Sequence, residues 1–135
     1  MKTLSLPLAK ELTELCKSKG ITMPESYWAW VKGDRRALLV PWNNPAIDYK
    51  EVIANAYTLD ELMDWLPTSV YKLFPSGKGV VSLLVLNKAD DGYGALYEFP
   101  RDSYYEALAE FTEDNPCDAV GKLLMRCIKE GYVKC

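Results

Sequence analysis

Residues 114–132 constrain the fold most, because they can only be a helix with one apolar side that has to be buried. Asn115 is a favoured N-cap, and Pro116 follows at the first helical position, where its missing N–H costs nothing. Asp118 faces the positive end of the helix dipole. Ala119, Val120, Leu123, Leu124, Cys127 and Ile128 then recur at helical spacing, with Lys122, Arg126, Lys129 and Glu130 on the wet side. Gly131 is placed to end the helix in a left-handed turn.

Other segments announce themselves in the same way. Residues 5–19 predict a first helix, with Pro7 in its opening turn, Gly20 past its end, and Leu8, Leu12, Leu15 and Cys16 on one face. Thr58 and Glu61 form a capping box ahead of a short helix at 59–66, which Pro67 stops. Residues 27–32 and 37–42 predict two strands in a tight hairpin around Gly33-Asp34. Side chains on a strand alternate between faces, so Trp28 and Trp30 lie on one side and Tyr27, Ala29 and Val31 on the other. Both faces are therefore apolar. Either the chain covers each of them, or one meets a partner.

Residues 43–55 carry no readable period, and Asn43-Asn44-Pro45 marks a loop. Residues 70–74, 80–87 and 93–99 read as an antiparallel meander, with turns at 75–79 and 89–92. The middle strand is almost continuously apolar, which predicts a central strand buried on both faces. Residues 104–111 fit either a helical stripe or a strand, and the strand is preferred. The fold expected is α+β: one domain over residues 1–135, with a mostly antiparallel sheet of about five or six strands and the N- and C-terminal helices packed on one face.

Composition narrows the function. At 49% hydrophobic and 26% charged, the 135 residues are those of a globular chain. A net charge of −3 speaks against non-specific nucleic-acid binding, which relies on a basic surface. No apolar run approaches the ~18 residues of a bilayer span, and the first residues lack the pattern of a secretion signal. The expected address is the cytoplasm. Cys16, Cys117, Cys127 and Cys135 form no C-x-x-C pair and read as reduced thiols. The chain has no histidine, which excludes His-based zinc sites and every Ser-His or Cys-His nucleophile.

Three chemical readings compete with blander ones. Asp60 and Asp64 share a helix face and suit a divalent cation, as in a metal-dependent hydrolase, but no second carboxylate motif supports them. Glu61 is already accounted for by the capping box. Asp90-Asp91-Gly92 lacks the ligand spacing of a calcium loop, and Gly77-Lys78-Gly79 lacks the remainder of a phosphate loop. Cys117 sits where a helix dipole lowers a thiol's pKa, yet it has no base and Asp118 is adjacent. No catalytic residue, metal or cofactor is therefore assigned. The first half is instead rich in aromatics: Tyr27, Trp28, Trp30, Trp42, Tyr49, Tyr57 and Trp65. Tryptophan and tyrosine supply most interface hot spots, so Tyr27, Trp28, Trp30 and Trp42 are interface candidates, together with the neighbouring basic residues Arg35 and Arg36. With Lys32, those arginines are also what a nucleic-acid-binding regulator would use.

Two blocks carry a resemblance. Ala56-Tyr57-Thr58-Leu59-Asp60-Glu61-Leu62-Met63-Asp64-Trp65-Leu66-Pro67 is one, and Asp114-Asn115-Pro116-Cys117-Asp118-Ala119 with the helix closed by Gly131-Tyr132 is the other. Together they resemble small proteins encoded by bacteriophages and prophages, a family with no established activity. The resemblance implies a phage or mobile-element setting inside a bacterium and no catalytic residue. The expectation is a non-catalytic protein acting by protein–protein binding, with homodimerisation through the first hairpin as one form of it.

Overall fold

A computed structural model describes residues 2–67, 69–73, 79–90, 92–98, 108–112 and 115–133. Among the described residues, three helices and seven strands follow one another as α1 (Leu6–Lys19), β1 (Trp28–Val31), β2 (Leu38–Pro41), a 3-10 turn (Tyr49–Glu51), β3 (Val52–Ala56), α2 (Leu59–Trp65), β4 (Ser69–Leu73), β5 (Gly79–Ala89), β6 (Gly92–Glu98), β7 (Leu108–Thr112) and α3 (Pro116–Lys129). The strands form two antiparallel sheets, ordered β2-β1-β3 and β4-β5-β6-β7.

The helices end where their caps dictate. At the start of α3 the Asn115 side chain accepts from the Cys117 amide at 3.0 Å. At its end the amides of Gly131 and Tyr132 return to the carbonyls of Ile128 and Cys127, with Gly131 at φ 82°. That is the left-handed closure that glycine adopts without a Cβ clash. Helix α1 ends the same way at Gly20. At α2 the capping box is complete, with Thr58 accepting from the Glu61 amide and Glu61 accepting from the Thr58 amide.

The core lies where the helices and the N-terminal residues meet. Val120, Leu123, Leu124, Cys127 and Ile128 of α3 are buried with Leu12 and Cys16 of α1, Leu62 of α2, Tyr57, and Ala95 and Tyr97 of β6. Each large aliphatic side chain of α3 contributes about 1.5–3 kcal/mol before conformational entropy is subtracted.

Residues 2–5 run through this core as a strap. Thr3 bridges Thr58, the Leu4 amide bonds the Tyr57 carbonyl at 2.8 Å, and the Leu4 carbonyl accepts from the Trp30 indole at 3.0 Å. On the other side, Asn115 donates to the Thr3 carbonyl and Asp118 accepts from the Ser5 amide, both at 2.8 Å. The strap therefore ties the first sheet and α2 to the start of α3. Leu4 lies so close to α3 that a Cβ on Gly121 would stand 2.4 Å from its Cδ1.

The single sheet of about five or six strands is a correction, since three strands form one sheet and four the other. The helices do not share one face either. α1 lies against β3, α3 lies against β6 and β7, and the two helices pack on each other between the sheets. Periodicity identifies strands but not which sheet a strand joins. The loop expected at 43–55 contains β3, which pairs with β1. The hairpin is not tight: Val31 and Leu38 are the last paired residues, leaving 32–37 as a six-residue connection. It folds back so closely that a Cβ on Gly33 would meet the Arg36 carbonyl oxygen at 2.3 Å. β5 is internal, as its apolarity suggests, but Leu86 is 37% exposed rather than buried. Most of the expected 75–79 turn, and residues 104–107 of the ambiguous segment, lie outside the described residues, and so does Cys135. Within 104–111, the part described begins β7.

Candidate binding surface

The doubly apolar strand is the centre of the first sheet, and the chain itself reaches both of its faces. Register places Trp28 and Trp30 on one face with Ala54 and Ala56. There the Trp30 indole bonds the strap, and Ala54 joins the core. Tyr27, Ala29 and Val31 share the opposite face with Trp42, Val40 and Leu38. The order β2-β1-β3 obliges residues 42–51 to cross β1 from one end to the other. On that crossing Tyr49 stacks on Trp42, with ring centroids 5.7 Å apart.

Part of this second face stays open. Tyr27 is 76% exposed, Tyr49 72% and Leu38 44%. Trp42 is half-buried, and its indole N–H is shared between Ser26 Oγ and Asn55 Oδ1 at 3.2 Å each. Residues 23–26, just before β1, form a ridge beside these aromatics. The ridge is pinned by polar contacts. Tyr57 donates its hydroxyl to the Pro24 carbonyl, Ser26 donates to the Trp28 carbonyl at 2.8 Å, and Asn55 donates to the Tyr57 oxygen at 3.1 Å. Burial pushes the Tyr57 phenol up to about 12, so it stays protonated as the donor across the ordinary pH range.

A cleft opens on each side of the ridge. The larger, of about 750 Å³, has Thr22, Glu25, Tyr27, Glu61, Asp64 and Trp65 in its walls. The smaller, of about 400 Å³, lies against Met23, Trp42, Tyr49 and Asn55. Glu61 anchors the larger cleft. One of its carboxylate oxygens takes the Thr58 amide at 2.8 Å and the other takes the Tyr27 amide at 3.0 Å. The capping residue of α2 therefore also fixes where β1 begins.

Of the six interface candidates, the structure brings Tyr27 and Trp42 together as cross-strand neighbours and adds Tyr49 to them. Trp28 and Trp30 are half-buried on the other face, and Arg35 and Arg36 are exposed at the far end of the hairpin. Tyr49 belongs to the aromatic-rich half of the sequence, but its place beside Trp42 has no local signal. Nor do residues 23–26, which reach the site through a contact spanning 33 positions.

Asp60 and Asp64 are both exposed on α2, and Asp64 lines the larger cleft. Among the described residues, no three His, Cys, Asp or Glu side chains are grouped to hold a metal ion. Cys117 is buried at the start of α3, with its thiol 3.4 Å from the Lys2 carbonyl oxygen. Burial, with the Asp118 charge adding to it, pushes this thiol up to about 11, against what its helix position alone suggests. Burial does the same to Cys16 and Cys127. Among the described residues, no helix is long and apolar enough to cross a membrane. No protein family, curated protein or solved structure matches this chain.

Proposed function

We propose that this is a non-catalytic binding protein that acts through protein–protein contact at the aromatic ridge. The observation behind this reading is the exposure of Tyr27 and Tyr49, 76% and 72%, beside a segment held by hydrogen bonds at Pro24 and Ser26. A large aromatic ring held in water by a fixed backbone is a poor use of apolar area unless something covers it. Pre-positioned aromatic rings are also what interface hot spots are made of. The clefts are open and of mixed lining, so they suit side chains of a polypeptide better than an enclosed small molecule. The setting proposed is the cytoplasm of a bacterium carrying a phage or mobile element, and it rests on the sequence resemblance alone.

Photo-crosslinking tests this. A benzophenone amino acid replaces Tyr27 or Tyr49 in the full chain, with Lys10 and Glu14, exposed on α1, as control positions. Discrete adducts are expected from the two tyrosine positions and not from the controls. Uniform labelling at all four, or none at either tyrosine, overturns the reading.

A further inference from the structure

The larger cleft joins two chemistries that each favour a cation. Glu25, Glu61 and Asp64 supply negative charge, while Tyr27 and Trp65 supply aromatic side chains. Glu61 is held in the wall by two backbone amides, and Glu25 and Asp64 are exposed. A guanidinium or ammonium group in such a cleft meets carboxylates through charged hydrogen bonds and aromatic rings through their quadrupole.

This chain displays matching groups at the opposite end of the same hairpin. Lys32, Arg35 and Arg36 are all exposed on the 32–37 connection, with Asp34 as the one opposing charge. The cleft and the tip are complementary in sign and are separated by the length of β1, about 13 Å for four residues.

We propose that the cleft receives the arginine-bearing hairpin tip of a second copy of this chain, and that two such contacts, one in each direction, close a two-fold dimer. The proposal rests on the binding-surface reading above and names its occupant. Two hairpins laid antiparallel bring each tip to the other's cleft. Leu38 lies beside the tip and Tyr27 beside the cleft on one sheet face, so each copy's exposed leucine meets the other's exposed tyrosine. The same patch serves both copies, and the assembly closes without leaving a free tip or cleft. Opposite charges meet at both ends, so the net charge of −3 per chain does not oppose the contact locally.

Sedimentation equilibrium of the full chain tests the proposal, using two charge-reversed variants. One carries Arg35→Glu and Arg36→Glu, the other Glu25→Lys and Asp64→Lys. All four positions are exposed, and melting curves check that each variant stays folded. The wild type is expected to dimerise reversibly, and less so as salt is raised. Each variant alone should show a dissociation constant raised about a hundredfold or more, because like charges then face each other. An equimolar mixture of the two variants should dimerise again, since every tip then meets a cleft of opposite sign. A monomeric wild type overturns the proposal, and so does a dimer indifferent to both reversals or a mixture that fails to recover. If any of these occurs while Tyr27 and Tyr49 still crosslink to a different protein, the binding surface stands and self-association falls. If the crosslinks are absent as well, both fall.

Discussion

Gly121→Ala offers a sharp test of how closely the strap packs on α3. In the middle of an open helix, replacing glycine by alanine stabilises by about 1 kcal/mol, through lower backbone entropy in the unfolded chain. Here the new methyl would stand 2.4 Å from Leu4 Cδ1, well inside contact distance. The obstacle is the end of a flexible side chain, but Leu4 is 0% exposed and packed among core residues, so moving it should displace close-packed neighbours. Overpacking of this kind costs about 1–3 kcal/mol. The clash therefore outweighs the propensity gain, and a net loss of about 0–2 kcal/mol is expected. The sign should reverse when the obstacle is removed. Leu4→Ala alone leaves a cavity costing about 2–5 kcal/mol, and in that background Gly121→Ala should stabilise by about 1 kcal/mol. Urea unfolding of the four proteins, followed by tryptophan fluorescence, closes the cycle with a coupling of about 1–3 kcal/mol. If Gly121→Ala raised stability by the same ~1 kcal/mol in both backgrounds, the close approach of strap and helix would be refuted.

Three further outcomes are expected. Leu124→Ala, at a side chain 0% exposed in α3, should cost about 2–5 kcal/mol in the same assay, and a loss below about 0.5 kcal/mol would mean the stripe does not face the core. Glu61→Ala should remove the Glu61 half of the capping box and the Tyr27 anchor, costing about 1–3 kcal/mol and speeding hydrogen exchange at the Tyr27 amide, whereas Thr58→Ala, which removes the other half, should leave that amide slow. The thiols of Cys16, Cys117 and Cys127 lie at about 11 in the folded protein against an ordinary 9.0. Between those values the unfolded chain has lost protons that the folded chain keeps. Stability should therefore be full below pH 9 and fall as pH rises toward 11 in denaturant titrations, and replacing the three cysteines by alanine should flatten that fall.

The helices were legible almost to the residue, because their ends are written in local chemistry. Asn115-Pro116, the Thr58–Glu61 pair and the glycines at 20 and 131 each satisfy or terminate backbone groups within a few residues. Strand β3 was not legible. Its sequence, Val52-Ile53-Ala54-Asn55-Ala56, has two alanines and an asparagine where a strand would usually show larger branched or aromatic side chains. It is a strand because β1 lies beside it, and small residues opposite Trp28 and Trp30 leave room for the indoles. The division into two sheets is hidden for the same reason, since it depends on pairings far apart in the chain. At the surface, Tyr27 and Trp42 could be picked out by residue type. The choice of face could not, because both faces of β1 read alike until the strap and the crossing at 42–51 are in place.

Among the described residues the two sheets share no ladder, and in many proteins such layers part separately when heated or pulled. Here a short length of backbone is bonded on one side to the first sheet and on the other to α3, the helix that lies against the second. The amide of Leu4 belongs to one layer, and the neighbouring amide of Ser5 is claimed by the helix that backs the other. While those bonds hold, the two layers are expected to unfold together, in a single transition by every probe. The slowest-exchanging amides should include those two, although they lie outside every regular helix and sheet.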